Sequence, residues 1–238
     1  MSSISISDNL QTVQDALSAA CCEAGRQPAE VALLAVSKTC APELVLEAAR
    51  AGQRAFGENY LQEAVDKMAA VQASAPELVL EWHFIGPIQS NKTRPIAENF
   101  AWVHSVDREK IAARLSEQRP ATLPPLNICL QINISGEASK SGVTPAEAVE
   151  LAKKIAALPG LQLRGLMAVP EPTDDVAEQH AAFRQLRELK ETMQSHGIAL
   201  DTLSMGMSAD MPAAIAEGST MVRIGTAIFG KRNYDTPG

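Results

Sequence analysis

Eight short apolar runs recur along the chain, each followed by a polar turn and a stretch of helical period. The runs are 31–36, 54–57, 81–85, 102–105, 127–132, 161–169, 202–205 and 221–224. The pattern predicts helices between them, over 42–51, 59–71, 91–99, 107–118, 145–158, 174–196 and 208–217. Several carry their own punctuation. Pro42 opens one helix and Gly52 follows it, the asymmetry expected of helix ends. Thr144 is a suitable N-cap, and Pro159-Gly160 stops the helix it opens. Strands alternating with helices imply parallel pairing and right-handed crossovers. Eight such units closing on themselves form a (β/α)8 TIM barrel, here with an extra N-terminal helix over 8–24.

The length of 238 residues suits one such α/β barrel, so residues 1–238 are read as a single domain. An open doubly wound sheet is the alternative. Its dinucleotide-binding version lacks support, because no G-x-G-x-x-G follows the first strand.

Composition narrows the function classes. A net charge of −7 and 4% aromatic residues provide neither a basic face nor stacking platforms, so no nucleic-acid partner is expected. The stretch MSSISISDNL has no basic region before an apolar one, so no signal peptide is read. No apolar run approaches the roughly 18 residues of a membrane span, and no membrane partner is expected. Cys21, Cys22, Cys40 and Cys129 make no C-x-x-C and read as small apolar residues in a reducing compartment, so the expected location is cytoplasmic. The four histidines show no i, i+4 spacing, and no metal site is expected.

In a barrel the chemistry gathers at the C-terminal ends of the strands. Those ends hold Lys38, Asn59, His83, His104, Ser135, Met167, Ser204 and Arg223 or their immediate neighbours. Lys38 follows the run VALLAVS. Taken alone it is a lysine that snorkels to water. In a poorly hydrated mouth, however, desolvation favours the neutral amine, which attacks carbonyls.

The segment LSMGMSADMPAAIAEGSTMVRIGTAIFG shifts that balance. Met205-Gly206-Met207-Ser208 lies between a strand and a helix, where Gly206 permits close approach of the backbone and Ser204 and Ser208 offer hydroxyls. Gly225-Thr226 makes a second small-residue turn after the last strand. Loops after strands seven and eight commonly hold a phosphate in this fold. Arg223 is either an internal ion pair or a contact for another polar atom of the same ligand. A lysine for a Schiff base, a phosphate cup and a partner for a ring nitrogen are what pyridoxal 5′-phosphate (PLP) requires. An arginine at the pyridine nitrogen keeps it unprotonated and weakens the ring as an electron sink.

The motifs AVSKT, FGENY, WHFIGPIQSNK, SGEASKSG, RGLMAV and the C-terminal segment resemble the pyridoxal-phosphate homeostasis proteins (the YggS/PROSC family), which are similar to the barrel domain of alanine racemase. The resemblance runs from the first strand to the end of the chain. It implies that Lys38 carries PLP as an aldimine and that Asn59 lies against the cofactor. It implies that Ser204 and Gly225-Thr226 hold the phosphate and that Arg223 meets the pyridine nitrogen. Lys140 matches a second family lysine with a regulatory link to the cofactor. Cys40 stands where the family often has lysine, which bears on cofactor exchange if that side chain takes part in it. The implied role is intracellular PLP (vitamin B6) homeostasis by a monomer without established turnover, with PLP-dependent apo-enzymes as candidate partners.

His83 has two readings: a group beside the cofactor ring, or a histidine bonded inside the core. Gln89, Asn91 and Lys92 either frame the mouth or cap a helix, His104 has no evident partner, and His180 and His196 read as surface groups. Two enzyme readings stand beside the binding protein. One is a PLP-dependent amino-acid racemase with His83 as second base. The other is a class I aldolase in which Lys38 meets a sugar-phosphate carbonyl without a cofactor.

Overall fold

The computed structural model describes residues 5–231; residues 1–4 of the stretch read for a leader, and 232–238, lie outside it. Eight strands pair in chain order and close into a parallel barrel. They are β1 (Ala32–Val36), β2 (Ala55–Glu58), β3 (Glu81–Phe84), β4 (Trp102–Val106), β5 (Leu126–Gln131), β6 (Leu161–Met167), β7 (Thr202–Ser204) and β8 (Met221–Ile224). Closure joins β1 to β8, with Leu34 opposite Arg223 and Ala35 opposite Ile224. That register sets Arg223 beside the strand that leads to Lys38.

The helices are α1 (Ile6–Glu23), α2 (Pro42–Arg50), α3 (Leu61–Ser74), α4 (Thr93–Asn99), α5 (Glu109–Gln118), α6 (Pro145–Ala156), α7 (Val176–Ser195), α8 (Met211–Ala216) and α9 (Thr226–Phe229). The extra helix α1 begins with a capping box, in which Ser5 and Asp8 exchange side-chain to backbone bonds. It buries Leu10, Val13, Leu17 and Cys21, a helical stripe, and packs against α2, α8 and α9. Apolar clusters between strands and helices make most of the core. Trp102, Cys129 and Met167 form a separate small cluster. His104 on β4 bonds to Ser204 on β7, and these strands are not neighbours, so the bond crosses the barrel interior.

Several predicted boundaries move, four of them at the rim. The third helix starts at Leu61 rather than Asn59. Gly86 bears on this: a Cβ there would overlap the Asn59 carbonyl, so the two loops are in backbone contact, and the extended residue before the helix is Tyr60. A 3-10 turn over Ser90–Lys92 precedes α4. The eighth helix starts at Met211 rather than Ser208, because the Asp210 carboxylate accepts from Met207 N at 2.6 Å and holds a turn before it. The segment after Gly225, read as a turn, is the first turn of α9.

Candidate functional site

A cavity of about 540 Å³ opens at the C-terminal ends of the strands. Its wall is made by Val36 and Lys38 beyond β1, Asn59 beyond β2, Ile85 beyond β3, and Met167 and Val169 at β6. Met207, Ser208 and Ala209 before α8, Arg223 on β8, and Gly225 and Thr226 at α9 complete it. Lys38 and Arg223 are thus brought to one space by barrel closure.

Lys38 is half-buried and sits on a tightly held turn. Thr39 has φ 62°, a left-handed conformation that is strained for a β-branched residue. Its N–H donates to Glu63 Oε1 at 2.6 Å. Beneath the turn, Lys67 Nζ donates to the Ser37 carbonyl, Glu58 Oε1 and Glu63 Oε1 at 2.7, 2.7 and 2.8 Å. Ser37 Oγ donates to the same Glu58 oxygen at 2.6 Å. Burial pushes the Glu58 carboxyl above its ordinary range, with Lys67 opposing that shift. This network clamps the backbone on both sides of Lys38.

Asn59 presents a buried side-chain oxygen with no hydrogen-bond partner, on a residue that lines the cavity. Such an oxygen is costly unless a donor meets it.

Arg223 is 5% exposed and has no ion-pair partner among the described residues. It is not the internal ion pair that was one reading of it. Its Nη1 donates to Ser204 Oγ at 2.7 Å and its Nη2 to the Ala168 carbonyl at 3.0 Å. Burial brings its pKa down to about 10, and Asp210 works against that fall. A buried cation on neutral acceptors favours an electron-rich atom entering from the cavity. The first turn of α9 adds the Thr226 and Ala227 amides, which lack intrahelical acceptors.

Other predicted residues lie elsewhere. Ser204 is fully buried, and its hydroxyl is bonded to Arg223 and His104 rather than set on the wall beside Thr226. Met205 is also fully buried. Gly206 has φ 102°, and a Cβ there would lie 2.6 Å from the Ala214 Cβ, so its small size serves the contact with α8 rather than a ligand. His83 is inside the barrel, bonded to His104 and Glu81 and stacked on Trp102, with ring centroids 5.3 Å apart. That is the core reading; with both nitrogens engaged, His83 is not placed as a rim base. Lys140 pairs with Glu171, joining the loops after β5 and β6 outside the cavity wall. His180 meets Glu217 at 2.9 Å.

Sequence reasoning missed Ser37, Glu58, Glu63 and Lys67. One signal was available. Lys67 falls at i+3 from Ala64 and four before Val71, on the buried stripe of α3, and four after Glu63. A lysine on an apolar stripe implies a buried carboxylate partner. His104 also gains its missing partners, His83 and Ser204.

Among the described residues, no group of three or more His, Cys, Asp or Glu side chains is placed to hold a metal ion. The donor set suits a small anionic carbonyl compound instead: a primary amine, a buried guanidinium, an unpartnered amide oxygen and free backbone amides. None of the four cysteines is in a disulfide. Among the described residues, no helix is long and apolar enough to cross a membrane.

The comparisons with known proteins point to one family. Residues 6–233 match the family "Alanine racemase, N-terminal domain". A pyridoxal phosphate homeostasis protein of Pseudomonas aeruginosa is 62% identical, over 98% of this chain and 98% of its own. PipY of Synechococcus elongatus, solved with PLP bound, superposes with a TM-score of 0.81 at 36% identity, over 94% of this chain and all of its own. An alanine racemase of Clostridium difficile shares the fold at a TM-score of 0.74 and 14% identity; this chain covers 58% of it. With its rim cavity, its closed barrel and these relatives, the chain belongs to the family of pyridoxal phosphate homeostasis proteins, built on the alanine racemase N-terminal domain.

Proposed function

We infer that this chain binds PLP in the rim cavity, joined to Lys38, and serves PLP homeostasis in the cytoplasm. The observation that carries the reading is that Lys38 and Arg223 share one wall with the α9 amides while Arg223 has no carboxylate against it. The cofactor supplies an aldehyde for the lysine, a phosphate for backbone amides and a ring nitrogen for a donor. Lys38 would hold the aldehyde carbon, clamped by the network beneath Thr39. Thr226, Ala227 and Ser208 would hold the phosphate, in place of the buried Ser204. Arg223 would donate to the ring nitrogen, and Asn59 Oδ1 would meet a donor of the ligand.

A homeostatic role fits better than racemisation here, because His83 offers no free nitrogen to the cavity. Lys140, outside the wall, would act on cofactor entry through its pairing with Glu171. PLP-dependent apo-enzymes are the proposed recipients, and the chain is proposed to act as a monomer.

The test is an absorbance spectrum of the purified protein with PLP, before and after borohydride, with mass spectrometry to locate the modified lysine. A near-visible band and a label on Lys38 are expected. Lys38→Ala should remove that label while leaving phosphate-anchored binding. A label of equal yield at another lysine in the parent protein would overturn the assignment. Absence of any band with added PLP would return the aldolase reading.

A further inference from the structure

One set of buried groups has no place in the cavity wall yet ends on it. Arg223 Nη1 lies 2.7 Å from Ser204 Oγ, and Ser204 Oγ lies 2.7 Å from His104 Nδ1. His104 Nε2 lies 2.8 Å from His83 Nδ1, and His83 Nε2 lies 2.7 Å from Glu81 Oε1. The bonds run through the barrel from β8 at the cavity to Glu81, the first residue of β3 at the opposite mouth. The Glu81 side chain is 50% exposed, so this end meets solvent.

The two ends of this set fix the bonds: the guanidinium only donates and the Glu81 carboxylate only accepts, so with both rings neutral every bond between them points the same way. Ser204 Oγ accepts from Arg223 and gives its own proton to His104 Nδ1. His104 therefore carries its proton on Nε2 and donates to His83 Nδ1. His83 in turn carries its proton on Nε2 and donates to Glu81. Both rings are neutral in this arrangement. Burial acts the same way, holding both histidines below their ordinary range, His104 further than His83.

We propose that Ser204, His104, His83 and Glu81 are positioning residues, a one-way relay that orients the Arg223 guanidinium toward the ligand of the cavity and links its hold on that ligand to events at the far mouth of the barrel. The proposal rests on the PLP reading of the cavity. Its physical logic is separation. A carboxylate touching Arg223 would occupy its donors and repel a phosphate ester. A chain of neutral groups polarised toward a distant carboxylate stabilises the buried cation and leaves its cavity side available.

Acid should invert the relay. A proton added at His83 Nδ1 turns an acceptor into a donor. His104 must then accept at Nε2 and donate from Nδ1, and Ser204 receives from both neighbours. The surrounding charged and titratable groups are Cys129 on β5, Arg164 on β6 with its partner Asp201, and Asp210 before α8. Burial pushes the Cys129 thiol up to about 12. Hydrogen bonds from Arg164 and Thr202 outweigh burial and hold Asp201 low. The bond from His83 holds Glu81 low. Of the two buried rings, His83 is held less far below its ordinary range than His104, so it is the one that acid reaches first.

The experiment has two arms. In the ligand-free protein, long-range proton–nitrogen NMR of labelled histidine reads the tautomers among only four residues. His83 and His104 should both carry their proton on Nε2 at neutral pH. A proton on Nδ1 of either ring would overturn the relay, whether or not PLP binds. In the PLP-loaded protein, Glu81→Leu should weaken PLP about tenfold, the scale of one charge-assisted hydrogen bond, and shift the absorbance band and its acid inflection. Glu81→Gln, which keeps an acceptor for His83, should restore the band. Parent affinity, band and pH profile in Glu81→Leu would refute the link to Arg223. Failure of the parent protein to bind PLP would sink the cavity reading, while the tautomers would still decide the relay.

Discussion

Two buried polar networks approach the cavity, and they treat positive charge in opposite ways. The Lys67 ammonium meets two carboxylates directly, Glu58 and Glu63, together with the Ser37 carbonyl. Among the described residues, the Arg223 guanidinium bonds to a hydroxyl and a carbonyl, and the carboxylate of its chain lies beyond Ser204, His104 and His83. The first network turns inward, its cation held on three sides. Its cation is spent on two carboxylates, and what it contributes is geometry, a rigid turn on either side of Lys38. The second is open at the cavity, so its charge is still available to a ligand. A single rim thus uses one buried cation as a clamp and another as a contact.

Breaking the first network should have the largest effect. Lys67→Met leaves Glu58 buried without its cation, a loss of about 3–5 kcal/mol in urea unfolding. A loss below about 1 kcal/mol would show that Glu58 relaxes or takes up a proton, and the clamp would not be ionic.

The open network should answer to pH instead. His83 and His104 have folded pKa values depressed by burial, and their unfolded value is 6.5. Unfolding therefore takes up protons below that value. The stability from keeping these rings neutral is complete above 6.5 and is lost as pH falls toward the folded values. Stability should therefore fall on acidification below about pH 6.5, and His104→Gln should reduce that slope. An unchanged slope in that variant would place the titration elsewhere.

The smallest effect should come from the clamped turn itself. Thr39→Gly relieves the left-handed strain at φ 62° but adds chain entropy to the unfolded state. The expected gain is no more than about 1 kcal/mol, with Lys38 labelling by PLP and borohydride unchanged. A fall in labelling would show that the strain itself aims the lysine.

Much of the fold was legible along the chain. Strand and helix periods are local, and apolar runs bounded by Gly and Pro made each β/α unit visible. The closed barrel followed from counting those units. Boundaries near the rim were less legible. Asn59 has ordinary neighbours for a helix start, yet its carbonyl packs against the Gly86 backbone of the next loop and the helix begins at Leu61. Ser208 suited a helix N-terminus, yet the Asp210 carboxylate holds a turn there.

The candidate site divides in the same way. Lys38, Asn59, Ser208, Arg223, Gly225 and Thr226 were readable as strand-end residues, and all six line one cavity. Ser204, Met205 and Gly206 were read as cofactor contacts and face away from the wall, whereas the core position of His83 was one of its two readings. A residue's side of a strand depends on register and tilt, which are properties of the closed sheet.

By itself, then, the amino-acid order determined which residues stand at strand ends and how many units the chain holds, because those follow from short-range hydrophobic period and turn chemistry. The tertiary structure alone decided which polar groups meet. Lys67 finds Glu58, and Arg223 finds Ser204 and then two histidines, only when closure brings distant strands around one interior. Burial there removes water as the alternative partner, so each group must be satisfied by the protein or by what the cavity admits.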